Sequence, residues 1–138
     1  MKFLPIKLLA VLTIPFLFAG CKKSDFIRDR NIGVDLHRCS DIAEGLSICF
    51  ESLITDSRCP EGAVCVWSGD AVVRVKFNEG GDEHNFNMSL LNSAIYPYPT
   101  DTVINGYKIK FLDLKPHPSI KPDDPVTQKS FAVFSVSP

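Results

Sequence analysis

The sequence predicts an all-β fold, a single antiparallel β-sandwich or small barrel of six or seven strands with disulfides. Three observations lead there. Apolar residues recur with period two along most of residues 45–136, strings rich in Gly and Pro punctuate them, and no stretch carries convincing helical periodicity. Four cysteines between residues 39 and 65 supply the cross-links on which small exported domains rely.

The first segment reads as an address. Met1 to Lys7 is a short basic start and Leu8 to Phe18 is apolar apart from Thr13, which is the grammar of a signal peptide. Ala19-Gly20-Cys21 resembles the lipobox of bacterial lipoproteins, in which the cysteine sulfur receives lipid and becomes the mature N-terminus. The resemblance implies a lipoprotein signal peptide over residues 1–20, a lipidated Cys21, a flexible tether over residues 21–31 and a β domain over residues 32–138. Each buried acyl methylene contributes roughly 0.8 kcal/mol, so several chains hold the domain to a membrane that it does not cross. Lys22-Lys23-Ser24 lacks the aspartate that retains enterobacterial lipoproteins at the inner membrane, which points to the outer membrane without choosing its periplasmic or surface face.

The composition changes once this segment is set aside. The 138 residues hold 15 Lys plus Arg against 16 Asp plus Glu, but only Lys2 and Lys7 fall within the first twenty. The remaining 118 residues therefore carry 13 basic and 16 acidic side chains, a formal charge of −3. That balance gives no basic footprint for nucleic acid, and the length suits one domain. No second apolar run reaches the roughly 20 residues of a membrane-spanning helix.

Leu46, Ile48, Phe50 and Ile54 fall at even positions and define the first strand. Cys65, Trp67, Gly69, Ala71, Val73, Val75 and Phe77 fall at odd ones. The fourteen residues from Val64 to Phe77 exceed the usual strand length, so a bend or bulge is expected near Gly69. Asn78 to Asp82 is turn chemistry around Gly80-Gly81, and the returning strand sets His84, Phe86, Met88 and Leu90 on one face. Tyr96-Pro97-Tyr98-Pro99 interrupts pairing because proline lacks an amide donor. Asn105-Gly106 is a strong hairpin signal between Val103-Ile104 and Tyr107–Phe111. The alternation slips at Leu112-Asp113-Leu114, where a bulge or strand end is expected. Pro116, Pro118, Pro122 and Pro125 mark an extended loop containing Asp123-Asp124. Ser130–Val136 is apolar on both faces and is placed centrally in a sheet.

With Cys21 assigned to lipid, Cys39, Cys49, Cys59 and Cys65 form an even set in an oxidising compartment. Of three connectivities, the local pairs Cys39–Cys49 and Cys59–Cys65 are favoured because each brackets a turn. Closed loops of eleven and seven residues contribute about 2.8 and 2.4 kcal/mol in the loop-entropy model. Zinc sites and thiol–disulfide exchangers usually show paired Cys-x-x-Cys spacing, which is missing from the sequence.

The most informative string is Asp56-Ser57-Arg58-Cys59-Pro60-Glu61-Gly62-Ala63-Val64-Cys65-Val66-Trp67-Ser68-Gly69. It resembles a family of uncharacterised bacterial secreted proteins and lipoproteins whose hallmark is Asp-Ser-Arg-Cys-Pro, four variable residues, then Cys-Val-Trp, one small residue and Gly. The resemblance touches most of residues 45–136 and implies an exported β domain, with no established activity attached. Two accounts of the string follow from its residue types. In the structural one, Asp56 and Ser57 accept backbone amides, Arg58 satisfies loop carbonyls or pairs with Asp56, and Trp67 packs inward near the disulfide. In the functional one, Asp56, Arg58 and Trp67 border a recognition surface on a rigid loop. Tyr96 and Tyr98 extend that second account, since tyrosine and proline stack on ligands at low entropic cost.

The sequence offers no catalytic constellation and implies no cofactor. A nucleophile elbow, a phosphate loop and a dinucleotide fingerprint are missing, and Asp82-Glu83 and Asp123-Asp124 lie in turn-like strings. His37, His84 and His117 lack compact metal-ligand spacing. The leading expectation is a non-enzymatic binding or structural domain anchored in the cell envelope, with a protein, peptide or envelope glycan as ligand. The alternatives are a small envelope hydrolase whose acidic or histidine residues converge only in three dimensions, and an extracytoplasmic metal-binding protein.

Overall fold

The computed structural model describes residues 30–120 and 129–138. Eight strands occur among them: β1 (Arg30–Asp35), β2 (Arg38–Ala43), β3 (Leu46–Asp56), β4 (Ala71–Glu79), β5 (Asp82–Ser89), β6 (Asp101–Ile104), β7 (Tyr107–Lys115) and β8 (Phe131–Ser137). They form two four-stranded antiparallel sheets, β1-β8-β7-β6 and β2-β3-β4-β5. The architecture is a sandwich rather than a closed barrel. Two strands precede Leu46, where the first was expected: β1, which buries only Ile32 and Val34 and starts at Arg30 inside the expected tether, and the edge strand β2, with burial concentrated at Ile42, both too short in apolar alternation to stand out.

Side chains from both sheets meet in one core. Ile48, Phe50, Val73, Val75, Phe77 and Met88 from one sheet face Val34, Ile109, Phe111, Leu114, Phe134 and Val136 from the other. The ring centres of Phe77 and Tyr107 lie 5.8 Å apart across the two sheets, and those of Phe111 and Phe134, neighbours within one sheet, lie 5.4 Å apart. β8 lies between β1 and β7, the central position that its two apolar faces predict.

Bulges decide where the period-two reading holds. In β7 the register shifts between Phe111 and Asp113, so burial passes from odd positions at Ile109 and Phe111 to an even one at Leu114. In β3 two shifts, between Phe50 and Ser52 and between Leu53 and Thr55, turn Ile54 outward. Ile54 was expected on the core face, and it is exposed for this reason.

The two ends of the sandwich differ. At one end the chain turns tightly through Gly45, Gly80-Gly81 and Asn105-Gly106, and β1 starts there opposite Val136. Asn105 and Gly106 both take positive φ, 50° and 90°, as a two-residue hairpin loop requires. A hydrogen bond of 2.8 Å from Asn105 Nδ2 to Glu79 Oε2 joins the turns of opposite sheets. At the other end lie the long connections 57–70 and 90–100 and the segment after β7. This second, looped end carries the features that sequence reading singled out.

Candidate recognition surface

The string 56–69 forms the arch between β3 and β4. Asp56 still pairs with Ala71 in the ladder, and the antiparallel approach continues through Ser57 N–H donating to Asp70 O and Cys59 N–H donating to Ser68 O, both 2.8 Å. Val64–Phe77 was expected to be a long strand bent near Gly69. Instead strand structure starts only at Ala71, because Gly69 at φ 73° turns the chain. A Cβ at Gly69 would sit 1.8 Å from Ser57 O, so only glycine permits this approach.

Arg58 locks the arch to the opposite sheet. Its Nε and Nη2 donate to Asp56 Oδ1 and Oδ2 at 2.8 and 2.7 Å, a bidentate ion pair. Nη2 also donates to Pro116 O at 3.0 Å, while Nη1 donates to Leu114 O at 2.6 Å and to His117 Nδ1 at 3.3 Å. These contacts account for all five N–H donors of a guanidinium. His117 completes the link, since with Nδ1 accepting from Arg58 its Nε2–H donates to Cys59 O at 3.0 Å. Arg58 is 7% exposed and has no donor left for a ligand. Of the two accounts of this residue, the geometry matches the structural one.

Asp70 is a second lock, and sequence reading passed over it. Its carboxylate is fully buried and accepts the backbone amides of Ala71, Leu90, Leu91 and Ser93 at 2.8 to 3.4 Å. Ser57 Oγ receives the Asp70 amide at 3.2 Å. One carboxylate therefore fixes the 90–100 loop beside the 57–70 arch. An isolated acid between Gly and Ala offers no local signal of this role, because three of its four amide partners lie twenty or more residues away.

With its polar residues turned inward, the arch turns its apolar residues outward. Val64 and Val66 are fully exposed, at 103% and 104% of the reference accessibility, and Trp67 is 41% exposed. Trp67 was expected as an inward anchor near the disulfide. The alternation that placed it there belongs to β4, and the turn at Gly69 rotates everything before it out of phase. The Cys59–Cys65 disulfide closes this projecting loop, and Cys39–Cys49 staples β2 to β3, as the favoured pairing has it. A parallel bridge between Glu61 and Ser119 lays the segment after β7 against the arch.

Tyr96 and Tyr98 are half-buried in the 90–100 loop. Ser89 Oγ donates to Tyr98 O at 3.2 Å, and Ser89 N–H donates to Pro99 O at 3.1 Å, holding both tyrosines at the same end as Trp67. Of the ten exposed large hydrophobic residues among the described residues, eight lie in the loops or strand ends here; only Val103 and Leu112 lie elsewhere.

The remaining candidates do not converge. His37 Nδ1–H donates to Glu51 O at 2.7 Å; His84 sits half-buried on β5; and His117 belongs to the Arg58 lock. Among the described residues, no group of three or more His, Cys, Asp and Glu side chains is placed to hold a metal ion. Two open depressions of about 500 Å³ contain no histidine. One lies over the turns near Gly45 and Gly80 and includes Asp41 and Glu44; the other, on the outer face of β3–β5, includes Glu51, Arg74, Asn85 and Asn87. Beside the latter, Lys76 pairs with Glu83 and Glu51, and its ammonium is held above the ordinary lysine value by the Glu83 hydrogen bond first, then by the charges of both carboxylates. Cys21, the signal segment and Asp123-Asp124 lie outside the described residues.

No protein-family model matches the chain, and neither a curated protein nor a solved structure matches it.

Proposed function

We propose that the protein is a lipoprotein of the bacterial cell envelope, anchored through lipid on Cys21, whose β-sandwich is a non-enzymatic binding domain. The string 56–69 and its resemblance to exported bacterial proteins, the even set of disulfide-bonded cysteines and the apolar segment before Cys21 support the anchor. The single observation that carries the binding role is the collection of exposed apolar side chains at the looped end. Exposed apolar side chains gathered at one end of a small domain, three of them on one disulfide-closed loop, are a costly arrangement and mark a site of contact.

Anchor and contact surface are separately testable. Metabolic labelling with a palmitate analogue should mark the wild-type chain and not the Cys21→Ser variant; equal labelling would remove the anchor. A photo-crosslinking residue at Val66 should give a discrete adduct in intact cells, and one at Val103, near the turned end, should not. Adducts from Val103 alone would move the contact surface elsewhere.

A further inference from the structure

We infer that the Val64–Trp67 tip inserts into the headgroup and acyl boundary of a phospholipid bilayer, a reading that deepens the proposed binding role and rests on the Cys21 anchor for its geometry. The shape of the tip argues for lipid over protein. Val64 and Val66 project beyond the accessibility of an extended peptide, on a loop held by a disulfide and by the Arg58 lock. Such a point suits a deformable apolar medium. Together with Trp67 it exposes an area on the order of 400 Å², backbone included, at most about half of the 800 Å² per partner in a standard protein interface. Neither depression described offers a second copy's tip an apolar socket, since Asp41 and Glu44 line one and Glu51 and Arg74 the other, and burying valines there would desolvate those charges.

Charge and reach agree with this. Among the described residues of the arch and the end of β7, Arg58 and Lys115 are paired with Asp56 and Asp113 and Glu61 is an exposed acid, so these cations are not free to draw the tip to anionic lipid. Insertion is then driven by the valines and by tryptophan, whose amphipathic ring favours the bilayer interface. β1 starts at the end opposite the tip. Eight residues, nine Cα–Cα steps, separate Cys21 from Arg30 and reach at most about 30 Å, and with the sandwich lying flat they need only cross from its side to the membrane surface rather than run its length. The tether is therefore long enough for the lipid and the tip to enter one leaflet with the sandwich laid along the surface.

Trp67 is the only tryptophan in the chain, so it reports on the tip without labelling. The full lipidated chain is reconstituted into phosphatidylcholine vesicles, with and without bromine on the acyl chains, and followed by flotation and tryptophan emission. Insertion predicts flotation, a shift of Trp67 emission to shorter wavelength, quenching by brominated lipid, and little change on adding salt. The V64D/V66D variant should still float but lose the shift and the quenching, with its circular dichroism unchanged. Flotation with unquenched Trp67 overturns insertion and leaves the anchor standing, whereas failure to float overturns both. Quenching that survives in V64D/V66D, or an emission shift that follows protein concentration without lipid, also overturns the inference. The wild-type quenching needs no variant, so a misfolded double substitution does not rescue it.

Discussion

Replacing Arg58 by alanine removes five hydrogen bonds at once and strands what they satisfied. The carboxylate of Asp56, 19% exposed, loses its bidentate partner, and the carbonyls of Leu114 and Pro116 lose their donors. Removing one member of a buried ion pair costs about 3 to 5 kcal/mol, mostly as desolvated charge left without compensation. Water reaches Asp56 from one side, which places the expected loss near 3 kcal/mol. For a domain of about 100 residues, at roughly 4 to 8 °C per kcal/mol, the melting temperature should fall by about 12 to 24 °C. Arg58→Lys keeps the charge but not the planar fork, and should recover about half of the loss. In a double-mutant cycle, Asp56→Ala in the Arg58→Ala background should cost much less than in wild type, because the carboxylate is already unpaired. The assay is thermal unfolding by circular dichroism without reductant, so that the disulfides stay closed. A fall of less than about 4 °C for Arg58→Ala would refute the lock and return Arg58 to the recognition surface.

Three further outcomes follow from single contacts. Gly69→Ala brings a methyl group 1.8 Å from Ser57 O at positive φ, and should cost about 3 kcal/mol or more, seen as loss of soluble, folded protein. His84→Leu should raise stability by about 1 kcal/mol in chemical denaturation, since it removes the buried Nε2, which has no hydrogen-bond partner. Burial of Asp113 opposes its ionisation, but hydrogen bonds from Lys115 and the Leu114 amide, with the Lys115 charge, outweigh this and hold its carboxyl below the ordinary value. Its contribution is therefore present above the unfolded-state value, near pH 4, and is lost as pH falls through the lower folded value. Wild type should exceed Asp113→Asn by under about 1 kcal/mol at neutral pH, given the 39% exposed carboxylate, and the difference should vanish in acid.

Periodicity and turn chemistry recover most of the strands because both are local. Asn105-Gly106 and Gly80-Gly81 set two hairpins, and the slip at Leu112 marks the β7 bulge at its actual place. The arch escaped the same method for a reason that can be located. Cys65, Trp67 and Gly69 continue the odd-numbered pattern of Ala71, Val73 and Val75, so composition alone extends the strand backwards through a turn. Only the close approach of Gly69 to Ser57 O shows that the phase is broken. Asp70 was illegible because its four amide donors come from Ala71 and from a loop twenty residues later. Arg58 was legible in kind, as a donor to Asp56 and to carbonyls, but its carbonyl partners were not, since Leu114 lies in β7 of the other sheet and Pro116 just after it.

The arch inverts the usual disposition of side chains, and the inversion explains how one short string can be structural and exposed together. Arg58 and Asp70 are buried, while Val64 and Val66 face water. A loop of this length without a hydrophobic face of its own must be held by something else, and the candidates are its polar groups and its disulfide. Asp70 fixes its base to the 90–100 loop, Arg58 fixes its first arm to the end of β7, and Cys59–Cys65 closes its tip. Holding the arch by these means releases its apolar residues from packing. Were Trp67 and the valines needed for the core, burying them against a ligand or a bilayer would require the domain to give up stability; because they are not, contact at the tip removes apolar surface from water at no cost to the sandwich. The same division predicts that tip substitutions such as Val66→Asp leave the unfolding free energy within about 0.5 kcal/mol of wild type, whereas Asp70→Ala, with four amides stranded, unfolds the looped end.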